Sequence, residues 1–472
     1  MLLMGSCSSP EPEITDKVEH QIEAEDYSVS RADIQTVLSQ LTRSNSSCRK
    51  MRAKTASKQY TISTIIDQTG QPAIYVVNYA GNGGFVLLSA TKKYIPVLAY
   101  SQNGNYSITG DLPDGVQQWQ SATVSAISAN SILPNDSTNN FRDLWDGYIG
   151  VDTTGTGSES HEQEFSVDNV FEEKLAEFKN AGYTIHRMTD ESITGDAETD
   201  EKLRGEAEYV TYPEYDWHKY AVVLEWTEAT NLTVDNFMPS TWGQGLPNAD
   251  PETLCNYNQY CPIVDGKRSF AGCLPVALGQ IIYYYKCPSL GYNWDKMLAD
   301  APSDESARLL SDIGTSIGVE YGSSSTSGYM SNAINYLKSI FGNDKVKSYT
   351  SYSFNTTLSN LQNGYPVLFE GKLTKANGDI KYHSFLGSGV ICRTTETKYA
   401  LYTFGGRYTY SKLYGDLVGN RQSTEYVYIN WGNFGIDNGF FYSPNFIKGE
   451  NGENAYNDAQ SIEIKSVTFI GK

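Results

Sequence analysis

Apolar positions change period several times along this chain. Between Ser28 and Leu41 they fall at Ala32, Ile34, Val37, Leu38 and Leu41, the three-and-four spacing of a helix with one buried face. Short runs rich in β-branched and aromatic residues follow: Tyr60–Ile66, Ala73–Asn78, Phe85–Ser89 and Pro96–Tyr100. Gly/Asn turns at 81–84 and 103–105 punctuate them, which predicts an antiparallel sheet. The texture changes near Pro239. A helix is predicted near 274–286, and Ser303–Gly318 and Ser327–Phe341 have helical spacing. After Lys347 the pattern is one of strands: Pro366–Phe369, Ser384–Leu386, Lys398–Thr403, Tyr426–Ile429, Phe440–Tyr442 and Ile462–Phe469. Helices first and strands second describe an α+β domain in two halves, with a natural ligand cleft between them.

Length and charge add boundaries. At roughly 150 residues per domain, 472 residues suggest about three domains. Two polar stretches read as solvated, protease-accessible linkers. One is Asp152–Ser160; the other is Asp190–Glu208, with eight acids against two bases. The resulting division is a leader at 1–26, a first domain at 27–150, a continuation with the acidic linker at 151–236, and a carboxy-terminal domain at 237–472. The net charge of −19 excludes a nucleic-acid binder, because phosphate contacts need a basic face. It also argues against adhesion to an anionic membrane surface. No stretch approaches the roughly 18 apolar residues of a spanning helix. Small residues before Cys7, followed by a polar and acidic tether, resemble a bacterial lipoprotein box with Cys7 as the lipid anchor, although the apolar part is shorter than a complete signal.

Candidate chemistry centres on one cysteine. Seven cysteines without CxxC or zinc-finger spacing describe neither a disulfide scaffold nor a metal site. Whether Cys255, Cys261 and Cys287 pair is not readable from sequence. Cys273 stands between Gly272, which permits a sharp turn, and Leu274-Pro275, which fits a first helical turn. A thiol at a helix N-terminus is favoured as thiolate, the nucleophilic form. It needs an acid/base partner, and His383 is the only histidine beyond His218. Downstream, Asn430 can orient an imidazole and Trp431 can shield that bond. Upstream, the Gln244 amide can serve an oxyanion beside the Cys273 N–H. Taken singly, Cys273 reads as a core thiol and His383 as a structural histidine; their order and company reverse this.

The order Gln…Cys…His…Asn-Trp-Gly resembles papain-like cysteine peptidases, and the local strings resemble the streptopain family. They are Trp242–Pro247, Ala271–Ile282, Tyr292–Trp294, His383–Phe385 and Asn430–Gly432. The stretch Gly84–Ser89 to Pro96–Tyr100 resembles that family's inhibitory propeptide. The resemblance implies a two-lobed α+β peptidase, one helical lobe and one antiparallel β lobe, preceded by an α+β propeptide domain. It implies Cys273 as nucleophile, His383 as acid/base, Gln244 in the oxyanion hole, and Asn430 and Trp431 orienting and shielding His383. It further implies a secreted or surface-anchored bacterial endopeptidase made as a zymogen, acting on proteins or peptides, inhibited by its own propeptide and needing no metal or organic cofactor.

The chain departs from the family pattern at four positions. Asn433 stands where a second Trp is usual, Tyr382 where Gly is usual, Ser384 where a small residue is common, and Ser388 where Asp is common. A decayed peptidase serving as a binding or inhibitor protein is the alternative reading of these changes. A rival motif, Gly314-Thr-Ser-Ile-Gly318, matches the serine-hydrolase elbow, but helical spacing before it removes the strand that elbow requires.

Overall fold

The computed structural model describes residues 27–43, 59–108, 112–133, 141, 144–145, 148, 167–245, 256–347, 350–374, 380–404, 412–413, 421–443 and 461–467. The lipoprotein-like stretch around Cys7 and the polar run Asp152–Ser160 lie outside these residues.

The first unit opens with α1 (Arg31–Arg43). Ser30 and Asp33 cap it reciprocally: Ser30 Oγ accepts from Asp33 N at 3.1 Å, and Asp33 Oδ2 accepts from Ser30 N at 2.8 Å. Four antiparallel strands follow, β1 (Tyr60–Ile66), β2 (Pro72–Tyr79), β3 (Phe85–Ser89) and β4 (Val97–Ser101). β3 is buried along its whole length, whereas β1 alternates, as an edge strand with one wet face does. α2 (Asp114–Ser131), unmarked by the sequence pattern, then crosses toward the carboxy-terminal domain. Its Trp119 packs edge-on against Phe441 at 4.8 Å.

The middle of the chain corrects one sequence expectation. α3 (Val167–Asn180), β5 (Thr184–Arg187), α4 (Ala197–Val210), the short α5 (Trp217–Tyr220) and β6 (Ala221–Val234) form a folded module. The acidic run at 190–208 is therefore no solvated linker. Leu203, Ala207 and Val210 form a buried stripe on α4, at the spacing of a helical face. Asp196 caps the helix through Thr199 N at 2.8 Å. Asp200 is itself buried and accepts from Ile193 N and Thr194 N, both at 2.9 Å, and from the Thr194 hydroxyl at 2.6 Å. Most of the acids here do face solvent, as Glu191, Glu198, Glu201 and Glu208 show, but the last three lie on the outer face of a helix whose other face is buried.

The carboxy-terminal domain has the two expected lobes. Two-residue strands β7 (Ile263–Val264) and β8 (Lys267–Arg268) precede the helical lobe of α6 (Cys273–Tyr285), α7 (Asp304–Ile317) and α8 (Met330–Phe341), with the small hairpin β9 (Glu320–Tyr321) and β10 (Thr326–Ser327) between α7 and α8. Gly314 lies inside α7 and Gly318 caps it in the left-handed conformation, so the G-x-S-x-G match is a helix end. The β lobe contains β11 (Thr350–Ser351), α9 (Phe354–Gln362), β12 (Val367–Thr374), the 24-residue β13 (Ile380–Thr403), β14 (Lys412–Leu413), β15 (Arg421–Asn430), β16 (Gly439–Tyr442) and β17 (Ser461–Val467).

One antiparallel sheet joins all the units. Its order is β1-β2-β3-β4-β16-β15-β13-β12-β17-β11, with β6 on β13 and β5 on β6. The first unit enters through β4, where Tyr100 pairs with Phe440 and Ala99 with Phe441. β6 runs beside the distal half of β13, from Ala221 opposite Thr403 to Val234 opposite Val390. α3 packs on one face of this extension through Phe171 and Leu175, and α4 on the other through Leu203 and Ala207. Residues 167–234 are thus built onto the carboxy-terminal domain. Alternation along β12 and β13 also separates the cores: Phe369 and Phe385 join the core shared with the first unit, and Leu368 and Leu386 join the helical lobe.

Leu203→Ala is expected to cost about 2–4 kcal/mol in denaturant unfolding, as large-to-small changes in packed cores do. Limited proteolysis of the native chain is expected to leave 190–208 intact; prompt cutting there would restore the linker reading.

Candidate active site

The site begins with the turn into α6. Gly272, at φ 93°, is the residue before the helix, and a β-carbon there would sit 3.0 Å from Thr326 Cγ2. Only glycine takes this turn cheaply, and the turn sets Cys273 at the first helical position. The sulfur is half-buried and accepts a hydrogen bond from Ser384 N at 3.4 Å. Two sequence-distant candidates therefore meet: the Cys273 thiol touches the backbone one residue beyond His383.

His383 is buried and shares its face of β13 with Phe385, whose ring lies 6.1 Å away. Its Nε2 lies 3.0 Å from the carbonyl oxygen of Trp431, which can only accept. Nε2 therefore carries the hydrogen, and Nδ1 is the basic nitrogen of that neutral tautomer. Trp431 is fully buried; its Nε1 donates to Asp437 O at 3.1 Å, and its ring packs on Phe385 at 4.8 Å and Phe441 at 5.1 Å. Asn430 follows a different course from the sequence expectation. Its Nδ2 donates to Ser240 O at 2.8 Å and Gln280 Oε1 at 2.9 Å, and its Oδ1 accepts from Gly432 N at 3.1 Å. The histidine thus leans on the carbonyl of the residue that follows Asn430.

The segment carrying Gln244 runs beside the turn that leads to Cys273. Gln244 O accepts from Ala271 N at 2.9 Å, two residues before Cys273. Trp242 is held by Nε1 to Leu298 O at 2.8 Å and by N to Gln280 Oε1 at 3.3 Å. The loop after Asn430 closes over it. Phe434, at φ 55°, lays its ring on Gly243, where an added β-carbon would come within 2.6 Å of that ring. The aromatic expected at 433 thus stands one residue later, against Tyr257 at 5.7 Å.

Three features escaped the sequence reading. The first is Gly115, in the opening turn of α2. A β-carbon there would lie 2.5 Å from His383 Cδ2 and 2.6 Å from Trp431 Cε3, so the first unit lies directly on the imidazole and its tryptophan. The second is Gln280, the one amide on an otherwise apolar α6, a polar residue on a buried face that signals a network. The third is Asp437, buried in the loop after Trp431 at φ 60°. Its Oδ1 accepts from Ser107 N of the first unit at 3.1 Å, and its Oδ2 has no hydrogen-bond partner among the described residues. Burial pushes this carboxyl up to about 6, against the opposing effect of the Ser107 N–H. Among the other described cysteines, Cys261 and Cys392 are free thiols; burial pushes Cys261 up to about 11, as for an inert core thiol. No His/Cys/Asp/Glu group among the described residues could hold a metal ion.

A helix-borne thiol facing an imidazole-bearing strand across two lobes defines a papain-like cysteine peptidase. Sequence comparison agrees: residues 252–441 match the Peptidase C10 family and residues 38–127 match the Spi protease inhibitor family. The carboxy-terminal region thus matches the streptopain-like family of cysteine peptidases, and the amino-terminal region matches the inhibitory propeptide that goes with it. No curated protein matches it. Solved structures that resemble it include a fragment of prointerpain A of Prevotella intermedia, at 15% identity and TM-score 0.44, covering 87% of this chain and 98% of that one. Active interpain A cysteine protease of the same organism aligns at 18% identity and TM-score 0.33, covering 49% of this chain and 94% of that one.

A carboxyl raised from its ordinary 3.8 to about 6 contributes stability that is complete below the lower value and lost as pH climbs through the higher. The full chain is therefore expected to lose about 1–3 kcal/mol between pH 4 and pH 6.5 on this account. Asp437→Asn is expected to flatten that slope in unfolding experiments across the same range; an unchanged slope would assign it elsewhere.

Proposed function

We propose that this protein is a cysteine endopeptidase made as a zymogen, hydrolysing peptide bonds through a thioester on Cys273. The observation that carries the reading is the hydrogen bond from Ser384 N to Cys273 Sγ, which brings the nucleophile against the strand that bears His383. In the reaction the thiolate attacks the peptide carbonyl, and the Cys273 N–H with the Gln244 amide stabilises the oxyanion. His383 protonates the leaving amine and then takes a proton from the water that hydrolyses the thioester. Asn430 Oδ1 receives the imidazole Nε2–H in place of the Trp431 carbonyl, a shift of one residue back along the chain.

The zymogen state is supported by Gly115. The opening turn of α2 occupies the space above His383 and Trp431, and the imidazole is turned to a backbone carbonyl beneath it. Removing the pro-domain frees that space. The cut that does so falls before Val167, in the polar Asp152–Ser160 region, because residues 167–234 are packed on β13 and would stay with the mature enzyme. Secretion from a bacterial cell, with Cys7 as a lipid anchor, completes the proposal and rests on the sequence around Cys7 alone.

Casein hydrolysis by the processed protein tests the reading. Cys273→Ala is expected to abolish it, a loss of several orders of magnitude; retained hydrolysis would refute the assignment. Gly115→Val is expected to lift the α2 turn and give the unprocessed chain measurable activity, whereas a silent full chain would place the restraint elsewhere. Amino-terminal sequencing of the matured form is expected to find its new terminus between 132 and 167. A terminus within 197–234 would contradict the retained module.

A further inference from the structure

We infer that Gln280 is a positioning residue for the peptidase reaction, acting through Asn430. Its side-chain oxygen fixes which end of the Asn430 amide faces the histidine. This rests on the roles proposed above for Cys273, His383 and Asn430.

Gln280 lies seven residues after Cys273 on α6, two helical turns along the same face. It is fully buried, and its Oε1 accepts three hydrogen bonds: from Ser240 Oγ at 3.1 Å, Trp242 N at 3.3 Å and Asn430 Nδ2 at 2.9 Å. Two of the surrounding groups have fixed polarity. The Trp242 N–H can only donate, so the Gln280 atom facing it is oxygen. The Ser240 carbonyl can only accept, so the Asn430 atom facing it, at 2.8 Å, is the nitrogen. Both Asn430 amide hydrogens are then used, one on Ser240 O and one on Gln280 Oε1. Its Oδ1 is left on the far side, where it takes Gly432 N and keeps a second lone pair for an imidazole N–H.

One oxygen thus ties three parts of the site to the helix that starts at the nucleophile. These are the Trp242–Gln244 strap, Ser240 and the Asn430 amide. Among the described residues the Gln280 Nε2 has no hydrogen-bond partner, while its Oε1 has three, so the acceptor is the end of the amide that is used. Without that acceptor a buried Asn430 hydrogen loses its partner and the amide loses its fixed orientation.

The test uses the full chain activated by proteolysis, with Gln280→Met, Gln280→Glu and Cys273→Ala compared on one peptide substrate. Gln280→Met keeps the shape and removes the acceptor. It is expected to lower kcat on the order of 10–100-fold with KM within about twofold, the scale of a misplaced catalytic group. The imidazole-linked limb of its kcat–pH profile should also move. Gln280→Glu keeps the acceptor and is expected to restore most of kcat. In an Asn430→Ala background, Gln280→Met should cost nothing further. Wild-type kcat and pH profile in Gln280→Met, or full additivity with Asn430→Ala, would overturn the inference. If Gln280→Met does not fold, Gln280→Glu decides: near wild-type kcat supports the acceptor role, and a loss matching Asn430→Ala refutes it. Activity surviving in Cys273→Ala would instead overturn the underlying assignment of the nucleophile.

Discussion

A missing β-carbon governs how this molecule is held. Gly115 lets the first turn of α2 settle onto His383 and Trp431 at a distance that no other residue allows. The rest of the pro-domain is built to deliver that turn. β4 adds to β16, the strand that ends the active-site loop, so the two domains share a sheet as well as a core. Trp119, one turn further along α2, seats on Phe441 of the same strand. The contact is accurate because backbone pairing sets its register, and a one-residue slip would turn every side chain to the wrong face.

The peptidase domain faces a related problem, since its chemistry comes from four distant segments. Each lobe has its own core, and β12 and β13 belong to both by presenting alternate faces. Where the lobes meet, Leu368 and Leu386 supply an apolar seam and a few polar links are added to it. Cys273 takes an N–H from Ser384, and the Gln280 oxygen gathers Ser240, Trp242 and Asn430. Buried polar groups of this kind fix one arrangement among many that a purely apolar interface would tolerate.

Much of this was legible in the sequence. Gly272 before Cys273 and Pro275 after it gave the turn into α6, and the four strands from Tyr60 to Ser101 were placed to within a residue or so, whereas Ser384–Leu386 and Lys398–Thr403 are two pieces of the single strand β13 and Tyr426–Ile429 is only the end of β15. The module at 167–234 was not legible, because α4 hides a buried stripe among acids and its N-cap, Asp196, is itself an acid. Helix α2 was also missed: Gly115, Gln117, Gln118 and Gln120 dilute its apolar face, and Gly115 is explained only by a contact hundreds of residues away. Sequence order put His383 and Asn430 in one site but could not reveal that the imidazole rests on the Trp431 carbonyl, since that depends on where a separate domain sits.

The central claim is that one thiol and one imidazole form a working pair only after the pro-domain leaves. The rate at which a peptidyl thiol-reactive probe labels Cys273, before and after processing, measures this directly. Slow labelling of the intact chain, fast labelling of the processed form and a return to slow labelling in processed His383→Ala are predicted. Equal rates in the intact and processed chains, or fast labelling without His383, would contradict it.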